Sequence, residues 1–377
     1  MTNKPQVHVF TSAALNYIPK VRILFNSIKK FHPDWKLHLA LADKRDEDFD
    51  LSDEVFDSVY SVADLDILYY KSWTFKHSIV ELATAIKPFM FLKLFKLPNC
   101  QKVIYLDPDI VVFSQLDDIL DHLDEYNILL TPHLVEPDKT IEAILDNEIS
   151  CLKHGIYNLG FLGLSNKPET IKFLNWWSDR LYHFCRDDIP NGLFTDQRWI
   201  DFVPAFFEGV RVLRSPRFNV ATWNLNSRFV SISENQEYYV NKNEKLGFYH
   251  FTGFDSGAHL VMSKKNANNN PTINKLVNWY KKSINSTLKD PLTKKLWSYA
   301  NYTNGDKIEK IHRKIYSERH DLQKAFPDPF DSNGFLSWIK SQGLLEYDLN
   351  VNYNCNESKK SPILYKILNK LKVAFRS

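Results

Sequence analysis

Cysteine is scarce in this chain of 377 residues: Cys100, Cys151, Cys185 and Cys355 stand far apart, with no CxxC or Cys/His spacing that would hold zinc. That excludes a disulfide-stapled scaffold and reads as free thiols in a reducing compartment. Glycine (11) and proline (17) are too few for a collagen-like or low-complexity architecture. No window approaches about eighteen uninterrupted apolar residues, so no membrane-spanning helix is expected. Met1 to Pro19 has no basic start followed by an apolar run, so no signal peptide is expected and the chain reads as cytoplasmic. A large excess of one charge is also missing. The balance of 48 basic and 45 acidic side chains leaves +3, which excludes a nucleic-acid partner held by a global basic field and excludes acidic disorder. What is present is 44% hydrophobic and 14% aromatic residues, enough for one large core or two smaller ones.

The first part of the chain alternates short apolar runs with helical patterns. Val7 to Phe10, Leu37 to Leu41, Val59 to Val62, Lys102 to Leu106 and Ile128 to Thr131 read as strands. Thr11 to Tyr17 reads as a polar loop, after which Pro19 opens a helix with Val21, Leu24, Phe25 and Ile28 on one face. Glu81 to Phe95 reads as a helix interrupted near Lys87-Pro88, and Ile110 to Phe113 as an extension of the strand before it. This order predicts an α/β fold with a mostly parallel sheet between helices, binding its ligand at the carboxyl ends of the strands. Further on come the apolar run Tyr157 to Leu164, a helix over Pro168 to Phe184, strands at Val210 to Leu213 and Leu246 to Phe251, and an Asn-rich loop at 266–270. Beyond about residue 275 the pattern is helical and polar.

The most informative stretch is Lys102 to Phe113, KVIYLDPDIVVF. Asp107 and Asp109, two apart on extended backbone, point the same way, and Pro108 stiffens the turn between them. Two carboxylates at a strand tip repel unless neutralised, and hard oxygen ligands suit Mg²⁺ or Mn²⁺. The competing reading is a solvated turn whose Asp side chains cap the next segment.

This segment resembles the DxD signature of GT-A glycosyltransferases, and most closely the retaining family-eight enzymes. Further segments follow in the matching order over roughly the first 260 residues. Asn16-Tyr17 resembles the loop that places an aromatic ring on the nucleotide base. Asn158 to Phe161, in YNLGFLGL, resembles the segment lining the donor sugar. Asp196-Gln197, in LFTDQRWID, resembles the pair beside the anomeric carbon, although after Thr195 the same residues also read as the first turn of a capped helix. His250, in FYHFTGFD, resembles a late metal-binding His, and Gly253 follows it. Lys87, in the helix before the DxD strand, would supply a cation near the diphosphate, and its competing reading is a solvated helix lysine.

The resemblance implies a metal site of Asp107, Asp109 and His250 for Mn²⁺ or Mg²⁺. It implies a donor site of Asn16, Tyr17, Lys87, Asp107, Asn158 and Gly253, with Asp196 and Gln197 at the reaction. The implied activity moves a sugar from a nucleotide-diphosphate donor, UDP-linked, to a glycan or lipid-linked glycan acceptor of bacterial surface polysaccharide, with retention.

The sequence departs from the family pattern in two places. No Lys closely follows Gly253, which leaves phosphate to Lys87, Lys264 or Lys265, and Thr131-Pro132-His133 stands where an Asp is usual. FNVATWNL, Phe218 to Leu225, takes no chemical assignment. With inversion, Asp196 or Asp255 would supply the base.

The implied organisation is a catalytic GT-A domain over 1–265, a helical C-terminal subdomain over 266–358 on the acceptor side, and a basic amphipathic tail over 359–377. The tail carries Lys359, Lys360, Lys366, Lys370, Lys372 and Arg376 beside an apolar stripe. It reads either as a peripheral contact with the inner face of the cytoplasmic membrane or as a helix docked on its own domain. A second resemblance gives a reading of another class. LDPDIVV also matches the first motif of haloacid-dehalogenase-like phosphohydrolases, with Asp107 as nucleophile and Asp187-Asp188 as the acidic pair.

Overall fold

The apolar runs of the first half assemble side by side. In the computed structural model, which describes residues 6–45 and 54–344, a seven-stranded sheet carries them. The strands are β1 (Gln6–Ala13), β2 (Lys36–Leu41), β3 (Ser58–Ser61), β4 (Cys100–Leu106), β6 (Ile128–Pro132), β7 (Tyr157–Ser165) and β8 (Val210–Val212), in the order β8-β6-β7-β4-β1-β2-β3. β5 (Ile110–Val112) stands outside this sheet. The pairs β1 with β2, β1 with β4, β2 with β3 and β8 with β6 are parallel. β7 alone runs antiparallel, to both β4 and β6. Helices cover the sheet, so most strand positions are buried, and β1 and β7 are buried at every position after their first instead of on alternate ones.

Helix α1 (Ile18–Phe31) has Pro19 in its first turn, where no intrahelical N–H is needed. Val21, Leu24, Phe25 and Ile28 are fully buried along its inner face, each contributing roughly 1.5–3 kcal/mol of transfer free energy. The helical stretch before β4 is broken as expected, into α2 (Ile79–Ala85) and α3 (Lys87–Leu94). Ser78 and Glu81 form a capping box at the start of α2. The helix expected over Pro168 to Phe184 has those same ends.

Two local expectations are corrected. Residues Thr11 to Ala13 are not loop; they continue β1, paired with β2, and only Leu15–Tyr17 forms a turn. Ile110 onward does not extend β4. β5 leaves the sheet and pairs antiparallel with β9 (Phe248–His250).

By its internal contacts the chain divides into Met1–Tyr299 and Ala300–Ser377. The first unit includes helices over Ala258–Asn266 and Pro271–Thr287. In the second, helices over Lys310–Glu318, His320–Ala325 and Ser337–Ser341 enclose Ile315, Tyr316, Leu322, Phe335 and Ile339. This is the expected helical C-terminal region. The basic tail from Lys359 lies outside the described residues. Among the described residues no helix is long and apolar enough to cross a membrane.

Candidate active site

Buried strand β4 ends at Leu106, and the Asp107 N–H adds one more bond to β7, donating to Gly160 O at 2.8 Å. Pro108 follows and has no N–H to give. The chain turns there, with Ile110 N–H donating to Asp107 O at 3.0 Å. The turn throws β5 against β9, in a register that sets Ile110 opposite His250. Phe251 N–H donates to Asp109 O at 2.9 Å. His250 thereby arrives beside both carboxylates: its Nε2 lies 3.0 Å from Asp109 Oδ1 and 3.7 Å from Asp107 Oδ2. One ligand atom from each of Asp107, Asp109 and His250 lies within 4.8 Å of the others.

Asn219, left unassigned by the sequence, orients the imidazole. Its Nδ2 donates to Asn158 Oδ1 at 2.9 Å and to Thr131 Oγ1 at 3.0 Å, which leaves its Oδ1 to accept from His250 Nδ1 at 3.2 Å. His250 Nε2 then faces the carboxylates, the orientation of its ring fixed by an outer hydrogen bond. Burial works against charge on His250, but Asp109 and then Asp107 outweigh it and raise its pKa. Burial likewise disfavours the Asp109 carboxylate, and His250 and Lys20 overcome it, so its pKa is lowered. Gly160 makes room for this arrangement: a Cβ there would lie 2.5 Å from His250 Cε1.

Lys87, at the start of α3, is not a solvated helix lysine. Its side chain is 3% exposed, and its Nζ lies 2.8 Å from Asp196 Oδ2, 3.6 Å from Asp107 Oδ1 and 4.2 Å from the centre of the Tyr105 ring. It also donates to Leu159 O at 3.1 Å. Burial opposes the charge, yet Asp196 and Asp107 together raise the Lys87 pKa. The Asp196 carboxyl is pushed up by burial and pulled back in part by Lys87. With two carboxylates beside one ammonium, the charged Lys87 is the better-supported state. Tyr105 OH donates to Asp107 Oδ1 and is linked to Ser12 Oγ at 3.2 Å, which fixes the first carboxylate from below.

Asp196 and Gln197 do not lie in the first turn of a Thr195-capped helix. Thr195 has φ +45°, strained for a β-branched residue, and the following 3₁₀ turn begins at Arg198 without a side-chain cap. Gln197 is bonded at both ends of its amide. Its Oε1 accepts from Leu159 N–H at 3.1 Å and Asn158 Nδ2 at 3.4 Å, and its Nε2 donates to His154 O at 3.0 Å. Asn158 Nδ2 also meets His133 Nε2 at 3.2 Å. Burial first, and His250 among other neighbours, hold the His133 pKa down at about 4, so this imidazole is neutral.

A cavity of about 860 Å³ is lined by Lys87, Asp107, Asn158, Asp196, Gln197, His250 and Gly253, among others. Asp109 is not on its wall. Asn16 and Tyr17, in the turn after β1, are not among the residues that line it. Tyr17 OH donates to Asp255, and Lys20 both pairs with that carboxylate and sits 4.2 Å over the Tyr17 ring. Of the lysines considered for phosphate, Lys265 pairs with Asp146 and only Lys87 reaches the cavity. Asp187 is on the rim, in a short ribbon with Phe194. Asn147, Thr222 and Trp223 also line the wall, and the sequence assigned a role to none of them.

Residues 8–167 match the family model described as glycosyl transferase family 8. The chain is 25% identical over 256 residues to the uncharacterized protein YfnD of Bacillus subtilis (strain 168), covering 66% of this chain and 78% of that one. It is 25% identical over 159 residues to YfnF of the same organism, covering 42% of this chain and 51% of that one, about half its length. Among solved structures it is similar to the galactosyltransferase LgtC in complex with donor and acceptor sugar analogues. That likeness has 17% identity and a TM-score of 0.42, over 66% of this chain and 87% of that one.

Proposed function

We propose that the chain, whose residues 8–167 match the model of glycosyl transferase family 8, transfers a sugar, with a divalent cation, from a nucleotide-diphosphate donor, UDP-linked, to a glycan or lipid-linked glycan of the bacterial surface, with retention. The observation that carries this reading is the convergence of Asp107, Asp109 and His250 at the end of β4, beside Lys87. The donor set fits a hard cation: two carboxylates, plus an imidazole whose Nδ1 is already engaged and whose space Gly160 preserves. When bound, Mn²⁺ or Mg²⁺ supplies positive charge to the diphosphate of the leaving nucleotide.

The chain's own residues do the rest. Lys87 keeps a permanent positive charge at the cavity wall, next to where phosphate charge develops. Asp196, buried and paired to Lys87, offers a carboxylate edge to sugar hydroxyls. Gln197 bonds both Leu159 N–H and Asn158, and so holds the donor-sugar wall in place. Asp255 is engaged by Lys20 and Tyr17 and is not on the cavity wall, which favours retention over an inverting base there. The family match supports transfer and lends nothing to the phosphohydrolase reading.

Incubation with a panel of UDP-sugars and Mn²⁺ tests this. Nucleotide release that chelation abolishes supports the reading; release of inorganic phosphate from a phosphomonoester in its place defeats it.

A further inference from the structure

Besides Asp196 Oδ2, which pairs with Lys87, two residues that line the large cavity carry a buried polar atom without a hydrogen-bond partner among the described residues. One is Asn147 Oδ1, on a side chain 1% exposed; the other is Trp223 Nε1. The first accepts and the second donates. Leaving such atoms dry and unpaired is costly, so a native chain keeps them for a ligand or water.

Each atom is held in place. Asn147 belongs to a five-residue π turn, Ile144–Glu148, between β6 and β7. Single π turns of this kind are frequent at functional sites. Its Nδ2 donates to Asp138 Oδ2 at 2.9 Å, which fixes the amide and turns Oδ1 away from that contact. Trp223 sits edge-on to His133 (5.1 Å, 65°) and to His250 (5.6 Å, 84°). It lies in the FNVATWNL run that the sequence left without a role.

Trp223 also lines a second cavity of about 410 Å³, together with Glu136, Asp138, Asn226 and Lys265. Asp138 holds both Asn147 Nδ2 and, at 3.2 Å, Asn226 Nδ2, and so ties the two cavities together. An indole face among carboxylates and amides suits a saccharide, whose C–H faces pack on the ring and whose hydroxyls bond the rim.

We propose that Asn147 and Trp223 form the acceptor-recognition pair, and that the second cavity takes the next sugar of the acceptor. A hydroxyl suits each orphan, because it can donate to Asn147 Oδ1 or accept from Trp223 Nε1. A hydroxyl of the donor sugar offers the same chemistry. The acceptor is favoured because the residues assigned to the donor, Lys87, Asp107, Asn158 and Asp196, come from α3, β4, β7 and the loop after Phe194. Asn147 and Trp223 come instead from the connections after β6 and β8.

The inference rests on the transferase reading, and the test separates the two. The indole N–H resonance of Trp223, identified by its loss in Trp223→Phe, is followed while wild-type protein is titrated with methyl glucoside, methyl galactoside, lactose and maltose at millimolar concentration. The expected result is a saturable shift with at least one sugar, stronger for a disaccharide and absent in Asn147→Ala. An indole resonance that none of the four moves overturns the proposal, whatever the enzyme assay gives. A shift driven by UDP-sugar alone, and not by free glycosides, assigns the pair to the donor and overturns the acceptor assignment.

Where transfer is observed, Trp223→Phe keeps the ring and loses the donor. It should raise KM for the acceptor about five- to ten-fold with less change in KM for the UDP-sugar. Equal rises in both, or a fall in kcat alone, also overturn it. Thermal unfolding of both variants guards against a folding defect. Failure of nucleotide release in the wild type would sink the transferase reading and leave the resonance test standing.

Discussion

Gly160 and His250 are in such close approach that no side chain fits between them: a Cβ on Gly160 would meet His250 Cε1 at 2.5 Å and Nδ1 at 2.7 Å, as well as Asn158 Oδ1 at 2.7 Å. The neighbours are a ring pinned by Asn219 and an amide bonded on both sides, so neither yields cheaply. Gly160→Ala should therefore displace His250, cost about 1–3 kcal/mol of stability, and weaken Mn²⁺ binding. Calorimetric titration with Mn²⁺, beside a urea melt, reads both. An alanine variant with wild-type Mn²⁺ affinity would show that His250 is not a ligand.

Asn219 holds the far nitrogen of the same ring. Asn219→Ala is expected to lower Mn²⁺ affinity about 10- to 100-fold while leaving all three ligands in place. Asp109→Ala should abolish Mn²⁺-dependent turnover with the fold intact by circular dichroism. If Asp109→Ala is fully active, the metal assignment fails.

Lys87 and Asp196 are each 3% exposed and pair at 2.8 Å. Removing one partner strands a buried charge, so Lys87→Met should destabilise by about 3–5 kcal/mol, and Lys87→Met with Asp196→Leu by less than the single change. Denaturant unfolding of both variants measures the difference. A double variant that is worse than Lys87→Met would mean that the pair is not a coupled unit.

The acid limb of stability should be set in part by His38. Its Nε2 lies 2.8 Å from His8 Nδ1 and its Nδ1 2.6 Å from Ser58 Oγ. Burial first, then His8, push its pKa down to about 3, with Lys36 and Lys29 adding to the effect and Asp57 opposing it. The folded value lies below the unfolded one, so the native state binds fewer protons. Stability is then complete above about pH 6.5 and is lost as pH falls from there towards about 3, by up to about 1.4 kcal/mol per unit from this group. His38→Gln should flatten that slope in urea melts run between about pH 6 and about pH 4. An unchanged slope would mean that His38 is protonated in the folded state.

What the sequence made legible was whatever leaves a periodic or compositional trace. Helix α1, the break at Lys87-Pro88, the helix over Pro168–Phe184 and the carboxylate pair at the tip of β4 all follow from spacing, from proline or from an apolar run ending in charge. The path of β5 did not, because an apolar triplet carries no mark of its partner, and its antiparallel register with β9 is a long-range choice. The burial of Lys87 was hidden for a related reason: its neutralising partner, Asp196, is far away in the chain. Asn219 was missed because its bridging amide finds its partners only once the strands β6, β7 and β9 have met. Tyr17 was assigned by its ring; the fold has tied its hydroxyl to Asp255, which the local sequence does not announce.

The pairing of β5 with β9 also orders events during synthesis. A nascent chain that has emerged only as far as residue 167 holds Asp107, Asp109 and Lys87 but neither Asp196 nor His250. At ribosomal rates the imidazole follows the carboxylates by roughly ten to thirty seconds. Until then the half-built cleft holds two acidic groups without the imidazole that faces them in the finished fold.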